Sequence, residues 1–227
     1  MTSVLVVDDQ AVFRAGLGML LDTAPGVRVA GLAADGADAV RQAARLRPEV
    51  ILMDIRMPGM SGIAATEQIL AQAGEPVPKV IMLTTFDLDV YVYAALRAGA
   101  SGFLLKEEEP ERIIAAIGVV AAGDMLFAPP VVRRMVEAYA TRLGQAEKTP
   151  ADLSRLTCRE TEVLRLVGRG LPNSEIAVRL AISEATVKTH LNRVMTKLAL
   201  SSRAQCVVVA YETRLVVPNA GESAPRP

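Results

Sequence analysis

Five short apolar runs, separated by segments with helical spacing, constrain the fold of this chain more than any other feature. The runs are rich in Val, Ile and Leu: VLVV (4–7), VRVAGLA (27–33), VILM (50–53), VIML (80–83) and GFLL (102–105). Such runs are typical of strands buried on both faces of a parallel sheet. Helix-period patterns follow them, with apolar groups that begin at Phe13, Ala39, Ile63, Val90 and Ile113. Residues 1–122 are therefore predicted to form a doubly wound (βα)₅ domain of the α/β class.

The pattern changes after this α/β segment. Residues 123–152 predict a connecting helix followed by a polar linker, and residues 153–215 carry four helical patterns without a strand signal. The tail, 216–227, is rich in Pro, Ala, Gly and Ser and is predicted to be disordered. A smaller all-α domain is therefore expected behind the first one.

The net charge of zero conceals an asymmetry between the two parts of the chain. Residues 1–150 carry 14 Lys and Arg against 18 Asp and Glu, a balance of −4. Residues 151–227 carry 11 against 7, a balance of +4, and the two parts add up to 25 of each sign. A polyanionic partner is therefore expected to meet the C-terminal part.

Composition also excludes several classes of protein. No apolar run reaches the roughly 18 residues of a membrane span, and the start, MTSVLVVDDQ, lacks the basic region of a signal peptide. The two cysteines, Cys158 and Cys206, are interpreted as reduced thiols, which predicts a cytoplasmic location. One histidine and no close cysteine pair argue against a zinc site.

Polar side chains follow four of the five runs. The first run ends in Asp8 and Asp9, the third in Asp54, the fourth in Thr84 and the fifth in Lys106. The carboxyl ends of parallel strands share one edge of a sheet, so these groups are expected to converge. Clustered carboxylates bind a hard cation such as Mg²⁺. The ion would keep Asp54 ionised and nucleophilic, while Lys106 and Thr84 could hold a phosphoryl group carried on Asp54.

Each of these residues could also have a purely structural role, because acids and threonines often follow strands as helix caps or turn formers. For a single residue that interpretation would usually win. Complementary chemistry at four strand ends favours a functional site.

The motifs VLVVDDQAVFRAGL, ILMDIRMPGMSG, IMLTTF and GASGFLLK resemble the receiver domain of two-component response regulators over residues 1–122. The resemblance implies a flavodoxin-like fold with Asp54 as the phosphoacceptor. It further implies that Asp9 ligates Mg²⁺ directly, Asp8 largely through water, and Arg56 through its backbone carbonyl. Thr84 would be the switch hydroxyl and Lys106 the lysine that pairs with the phosphate. Phe103 would be a switch side chain whose rotamer changes with the position of Thr84. The alternative is that Phe103 only packs against the sheet.

The C-terminal part begins with a capping box, Thr157 and Glu160. Asn173 is predicted to cap a second helix and Ser183 a third, longer one. A short helix, a tight break and a longer helix describe a helix-turn-helix, whose second helix enters the major groove of DNA. The predicted DNA contacts lie on the outer face of this helix: Lys188, Thr189, Asn192, Arg193 and Lys197. For Arg193 or Lys197 alone, a solvated charged face is an equal alternative.

The segment from LTCRETEVLRLV to TVKTHLNRVMTKL resembles the LuxR-type helix-turn-helix of NarL/FixJ response regulators. The resemblance implies a transcription factor, phosphorylated by a sensor histidine kinase, that binds double-stranded DNA as a homodimer when active. It would phosphorylate itself from a phosphodonor without being a turnover enzyme. A regulator that works without phosphorylation is the alternative. An aspartyl-nucleophile phosphatase is disfavoured, because such enzymes need an acid where Arg56 stands.

Overall fold

The computed structural model describes residues 1–74, 76–84, 92–124 and 152–217 of the chain. The strands are β1 Thr2–Val7, β2 Val27–Ala33, β3 Val50–Asp54, β4 Lys79–Thr84 and β5 Gly102–Leu105. The helices of the first part are α1 Ala11–Thr23, α2 Gly36–Leu46, α3 Gly62–Gln72, α4 Val92–Ala98 and α5 Pro110–Ala121. Each apolar run is a strand, so the predicted order of elements is confirmed.

The five strands form one parallel sheet in the order β2-β1-β3-β4-β5. The chain passes from β1 to β2 on one side and then crosses to β3 on the other side of β1, so the switch point where doubly wound proteins bind ligands lies between β1 and β3. The predicted flavodoxin-like α/β fold is confirmed.

The two faces of the sheet are covered separately, because successive side chains of a strand point to opposite faces. One apolar cluster joins α1 and α5 to the sheet through residues such as Leu21 and Ile117. The opposite face packs against α2, α3 and α4 through residues such as Ala39, Ile69 and Leu96. Burial on both faces explains why the strand runs are continuously apolar.

Four helices form the C-terminal module: α6 Cys158–Gly168, α7 Asn173–Leu180, α8 Glu184–Lys197 and α9 Arg203–Glu212. The capping box of Thr157 and Glu160 opens α6 as predicted, and Ser183 caps α8 through the Thr186 N–H. The predicted cap at Asn173 is wrong: Pro172 is the cap residue, and Asn173 is the first residue of α7. The Asn173 amide is instead engaged by Asp124 and Arg203.

The two parts of the chain pack together through α4 and α9. Tyr93 near the start of α4 contacts Glu212 at the end of α9, and Arg97 contacts Gln205 near the start of α9. The two helices therefore run antiparallel. One continuous apolar cluster, which includes Leu96 of α4 and Val208 of α9, extends from the sheet into the C-terminal module.

Several predictions lie outside the described residues. They include the connecting helix and most of the linker predicted over 123–152, Val90, and the tail from residue 218 onward. Among the described residues, none of the helices combines the length and the apolar character that a membrane span requires.

Candidate functional site

Three carboxylates meet at the carboxyl edge of the sheet, beside the switch point. Asp8, Asp9 and Asp54 each offer an oxygen, and these oxygens lie within 4.8 Å of one another. Asp8 and Asp54 are buried, whereas Asp9 is exposed. The sequence predicted this convergence from the strand ends alone. Hard-cation sites use such carboxylate oxygens, so the set fits Mg²⁺ by its chemistry.

Lys106 lies between the two buried acids. Its Nζ is 2.7 Å from Asp8 Oδ2 and 2.8 Å from Asp54 Oδ2, and it lies 5.1 Å from the centre of the Phe13 ring. Burial opposes the charge of Lys106, yet the hydrogen bonds and the attraction from Asp54 and Asp8 outweigh it and raise the pKa of Lys106. The ring contact with Phe13 was not predicted from the sequence.

Asp54 is the last residue of β3 and is 5% exposed. Burial raises the pKa of the Asp54 carboxyl; Lys106 lowers it, the charge of Asp8 raises it further, and the Arg56 N–H, 3.3 Å from Oδ1, lowers it. The net result is a raised pKa, because burial and the charge of Asp8 outweigh the contacts with Lys106 and the Arg56 N–H. A further cation at this edge would therefore be favourable.

Of the three acids, Asp9 reaches an open cleft. The cleft is lined by Asp9, Gln10, Ile55, Arg56, Met57, Pro58, Ser61 and Ile63. Gly62 begins α3 directly behind Asp54, and a side chain at Gly62 would collide with the Asp54 backbone oxygen. Glycine at that position therefore allows the β3–α3 loop to fold tightly around the acid.

Thr84 and Phe103 lie on neighbouring strands, with Phe103 two residues before the end of its strand. Thr84 ends β4, is buried, and accepts a backbone hydrogen bond of 2.8 Å from Lys106 N–H. Phe103 of β5 is paired in register with Met82 and is also buried. The predicted switch residues thus lie on the strands that lead to α4 and α5.

The outer face of α8 carries the predicted DNA contacts. Lys188, Thr189, Asn192 and Arg193 are exposed. Lys197 is half-buried, and its Nζ lies 2.7 Å from Glu160 Oε2. Lys197 would therefore reach DNA only by leaving Glu160.

Lys188, one of the predicted DNA contacts, also touches the N-terminal α/β domain. Its Nζ donates a 3.0 Å hydrogen bond to the Ala122 carbonyl oxygen, just beyond the end of α5. The Lys188 ammonium therefore already has a partner in this arrangement.

The interface of α4 with α9 carries polar contacts that the sequence did not predict. Tyr93 donates its hydroxyl to Glu212 Oε1 at 2.9 Å, and Arg97 Nη1 lies 3.9 Å from the same oxygen. Gln205 donates its amide to the Arg97 carbonyl at 2.8 Å, which satisfies an acceptor at the C-terminal end of α4. Spacing within each helix places these groups on one face, but no local signal pairs the two helices.

Two family descriptions match this chain. Residues 4–118 match the response regulator receiver domain, and residues 154–210 match the bacterial regulatory proteins of the luxR family. The first match contains the acid cluster, and the second contains α6, α7 and α8.

Several curated proteins resemble the chain over nearly its whole length. The transcriptional regulatory protein LiaR of Bacillus subtilis is 38% identical, over 95% of this chain and 100% of LiaR. The nitrate/nitrite response regulator protein NarL of Escherichia coli K12 is 34% identical, over 94% of this chain and 96% of NarL. Among solved structures, the response regulator ChrA of a heme-sensing two-component system is 34% identical, with a TM-score of 0.50 over 95% of this chain and 98% of ChrA.

Proposed function

The chain belongs to the response regulators that join a receiver domain to a LuxR-type DNA-binding domain, and we propose that phosphorylation of Asp54 switches its activity as a transcription factor. The observation that supports this proposal most directly is the cluster of Asp8, Asp9 and Asp54 around Lys106. The protein would act in the cytoplasm, as a regulator and not as a turnover enzyme.

The proposed reaction is a phosphoryl transfer to the Asp54 carboxylate. An Asp54 oxygen attacks the phosphorus of a phosphohistidine on a sensor histidine kinase, or of a small acyl phosphate. A P–O bond to Asp54 forms, and the bond to the imidazole nitrogen or the acyl oxygen breaks, with its electron pair going to that atom. Lys106 and the Thr84 hydroxyl then hydrogen-bond the new phosphoryl oxygens.

Mg²⁺ is the proposed cofactor of this step. The side chains of Asp8, Asp9 and Asp54 and the backbone carbonyl of Arg56 would hold the ion, which neutralises charge on the phosphoryl oxygens. Asp9 is exposed, so Asp9→Asn should leave the fold intact. We expect this variant to need at least roughly tenfold more Mg²⁺ for phosphorylation. An unchanged Mg²⁺ requirement would remove Asp9 from the ligand set.

Movement of Thr84 toward the phosphoryl group would carry the signal to α4. Thr84 ends β4, and α4 is the next described helix along the chain. The docked arrangement, in which α4 covers α9, would be the resting state. Phe103 would turn inward behind Thr84, and the displaced α4 would release Glu212 and Gln205. Displacement of α4 would therefore couple phosphorylation to undocking of the C-terminal module.

The released module would bind double-stranded DNA as a homodimer. Helix α8 would enter the major groove with Lys188, Thr189, Asn192 and Arg193. Lys197 would join them only if DNA displaces it from Glu160, and the salt dependence of binding tests this alternative. We propose that the second copy packs against α9, where Ala204, Val207, Val208 and Tyr211 are buried in the docked chain.

The test measures DNA affinity of the wild type and of Asp54→Ala, each with and without a small acyl phosphate. We expect the phosphodonor to increase the affinity of the wild type at least roughly tenfold, the equivalent of about 1.4 kcal/mol, and to leave Asp54→Ala unchanged. Equal affinities in all four conditions would refute the proposed phosphorylation switch. The protein would then be a regulator that acts without phosphorylation.

A further inference from the structure

The C-terminal cap of α5 presents one carboxylate, Asp124, to the DNA-binding module. Gly123 has a φ of +91°, and its N–H donates to the Val120 carbonyl. The Asp124 N–H donates at 3.2 Å to the Val119 carbonyl. This closing pattern at the helix end fixes the direction in which Asp124 leaves the receiver domain.

Asp124 contacts two buried polar residues that come from different helices. Its Oδ1 accepts a 2.8 Å hydrogen bond from Asn173 Nδ2 and lies 3.5 Å from Arg203 Nη1. Asn173 is 1% exposed and Arg203 is 7% exposed. Arg203 also donates to Asn173 Oδ1 and to the Leu171 carbonyl, so the two side chains form a preassembled pair.

The pair lies at a helix N-terminus that lacks a side-chain cap. Pro172 occupies the cap position of α7, and its side chain cannot accept a hydrogen bond from the first turn. Free N–H groups, an asparagine amide and a guanidinium are the groups that proteins use to hold phosphate. Within the described residues the buried Arg203 Nε has no hydrogen-bond partner, so the guanidinium has spare donor capacity.

Helix α8 meets the same segment of the receiver domain. Lys188 Nζ donates to the Ala122 carbonyl, two residues before Asp124. Two residues of extended chain span at most about 7 Å. The Asn173–Arg203 pair and the first predicted DNA contact are therefore neighbours, and the α5 cap engages both.

We propose that Asn173 and Arg203 form a binding site for a phosphate of the DNA backbone, and that Asp124 occupies this site in the docked chain. The inference rests on the proposed DNA binding through α8 and adds a contact outside that helix. Asp124 is then an internal competitor of DNA: its carboxylate oxygens stand in for phosphate oxygens until undocking withdraws them. Binding of DNA and docking of the receiver domain exclude each other at this point.

The experiment compares full-length unphosphorylated variants for binding to random-sequence duplex DNA, since phosphate contacts are independent of sequence. Asp124→Asn removes the competing charge and should bind roughly tenfold tighter than the wild type. Glu67→Gln, an exposed acid on α3, makes the same change in net charge and serves as the control. Its affinity should stay close to that of the wild type.

Asn173→Asp distinguishes a phosphate-binding site from a contact that only holds the two domains together. The variant keeps the oxygen that accepts from Arg203, so the pair stays assembled, but it loses the amide that donates to Asp124. If the contact only held the two domains together, both variants would undock and both would bind DNA more tightly. A phosphate site predicts opposite effects, with Asn173→Asp binding roughly tenfold more weakly than the wild type. Thermal melts establish that each variant is folded.

Two outcomes overturn the inference alone. They are an Asp124→Asn affinity equal to that of Glu67→Gln, and an Asn173→Asp affinity at or above that of the wild type, in a protein that still responds to an acyl phosphate. Failure of the wild type to bind DNA in either phosphorylation state would overturn the proposed function, and this inference with it.

Discussion

The receiver domain and the DNA-binding module each contain a buried acid paired with a lysine, and the two pairs differ in their charge balance. At the sheet edge, Lys106 is shared by Asp8 and Asp54, with Asp9 close by. In the C-terminal module, Glu160 and Lys197 pair one to one. The first group has surplus negative charge, and the second is balanced.

The pKa values of the two acids follow this difference. Burial raises the pKa of Asp54, and the lysine that Asp54 shares with Asp8 lowers it by less than burial raises it. The hydrogen bond from Lys197 lowers the pKa of Glu160 in spite of burial. A surplus of buried negative charge suits a site that accepts a cation and a phosphoryl group. A balanced pair suits a structural joint, here between the start of α6 and the end of α8.

Replacement of Lys106 should have the largest effect on stability. Lys106→Met leaves two buried acids without their cation, and we expect the free energy of unfolding to fall by about 3 kcal/mol in Mg²⁺-free buffer. Mg²⁺ should recover more stability in this variant than in the wild type, as measured by urea denaturation. Lys197→Met is the control, because Mg²⁺ should stabilise it no more than the wild type. An equal Mg²⁺ response in both variants would contradict the surplus-charge interpretation.

The pH dependence of stability should have opposite signs at the two acids. The pKa of Asp54 is raised in the folded state, so its contribution is present below the ordinary value of 3.8 and is lost as the pH rises through the folded pKa. Asp54→Asn should therefore be more stable than the wild type at pH 7 without Mg²⁺, and the advantage should shrink in acid.

The pKa of Glu160 is lowered, so its contribution is present above the ordinary value of 4.5 and is lost as the pH falls through the folded pKa. Glu160→Gln should be less stable than the wild type by about 2 kcal/mol at pH 7, with a smaller difference in acid. Urea denaturation across the acid range measures both variants. Parallel pH profiles of the two differences would refute the contrast.

Salt dependence of DNA binding should separate Lys197 from a lysine or arginine that contacts phosphate. Arg193→Met should reduce the slope of log affinity against log salt by about 0.9 if Arg193 neutralises one phosphate. Lys197→Met should lower the free energy of unfolding by about 1 kcal/mol and leave the slope unchanged, because Lys197 is held by Glu160. A reduced slope for Lys197→Met would place its ammonium on DNA.

The smallest effect is expected at the interface between the two domains. Tyr93→Phe removes only the hydroxyl that donates to Glu212. Loss of about 1 kcal/mol from docking would raise the DNA affinity of the unphosphorylated protein by up to roughly fivefold. The phosphorylated variant, already undocked, should match the phosphorylated wild type in the same titration. A difference between the phosphorylated proteins would show that Tyr93 acts elsewhere.

Local pattern in the sequence was sufficient for the sheet and for the convergence of the candidate site. The five apolar runs became five strands, and Asp8, Asp54 and Lys106 lie together because parallel strands end at one edge. The capping box at Thr157 was predictable for the same reason, since both partners lie within one helical turn. In each case the relevant geometry repeats over a few residues.

The packing of the two domains against each other depends on contacts between residues that lie far apart in the chain. Asparagine is a common helix-cap residue, yet the Asn173 amide is bound by Asp124, 49 residues away, and by Arg203. Tyr93 and Glu212 are separated by 119 residues. Such contacts depend on the shapes of two folded surfaces and leave no periodic trace in the chain. A buried amide bonds whichever donor and acceptor the packed structure brings to it, because leaving it unpaired costs more than losing a local cap.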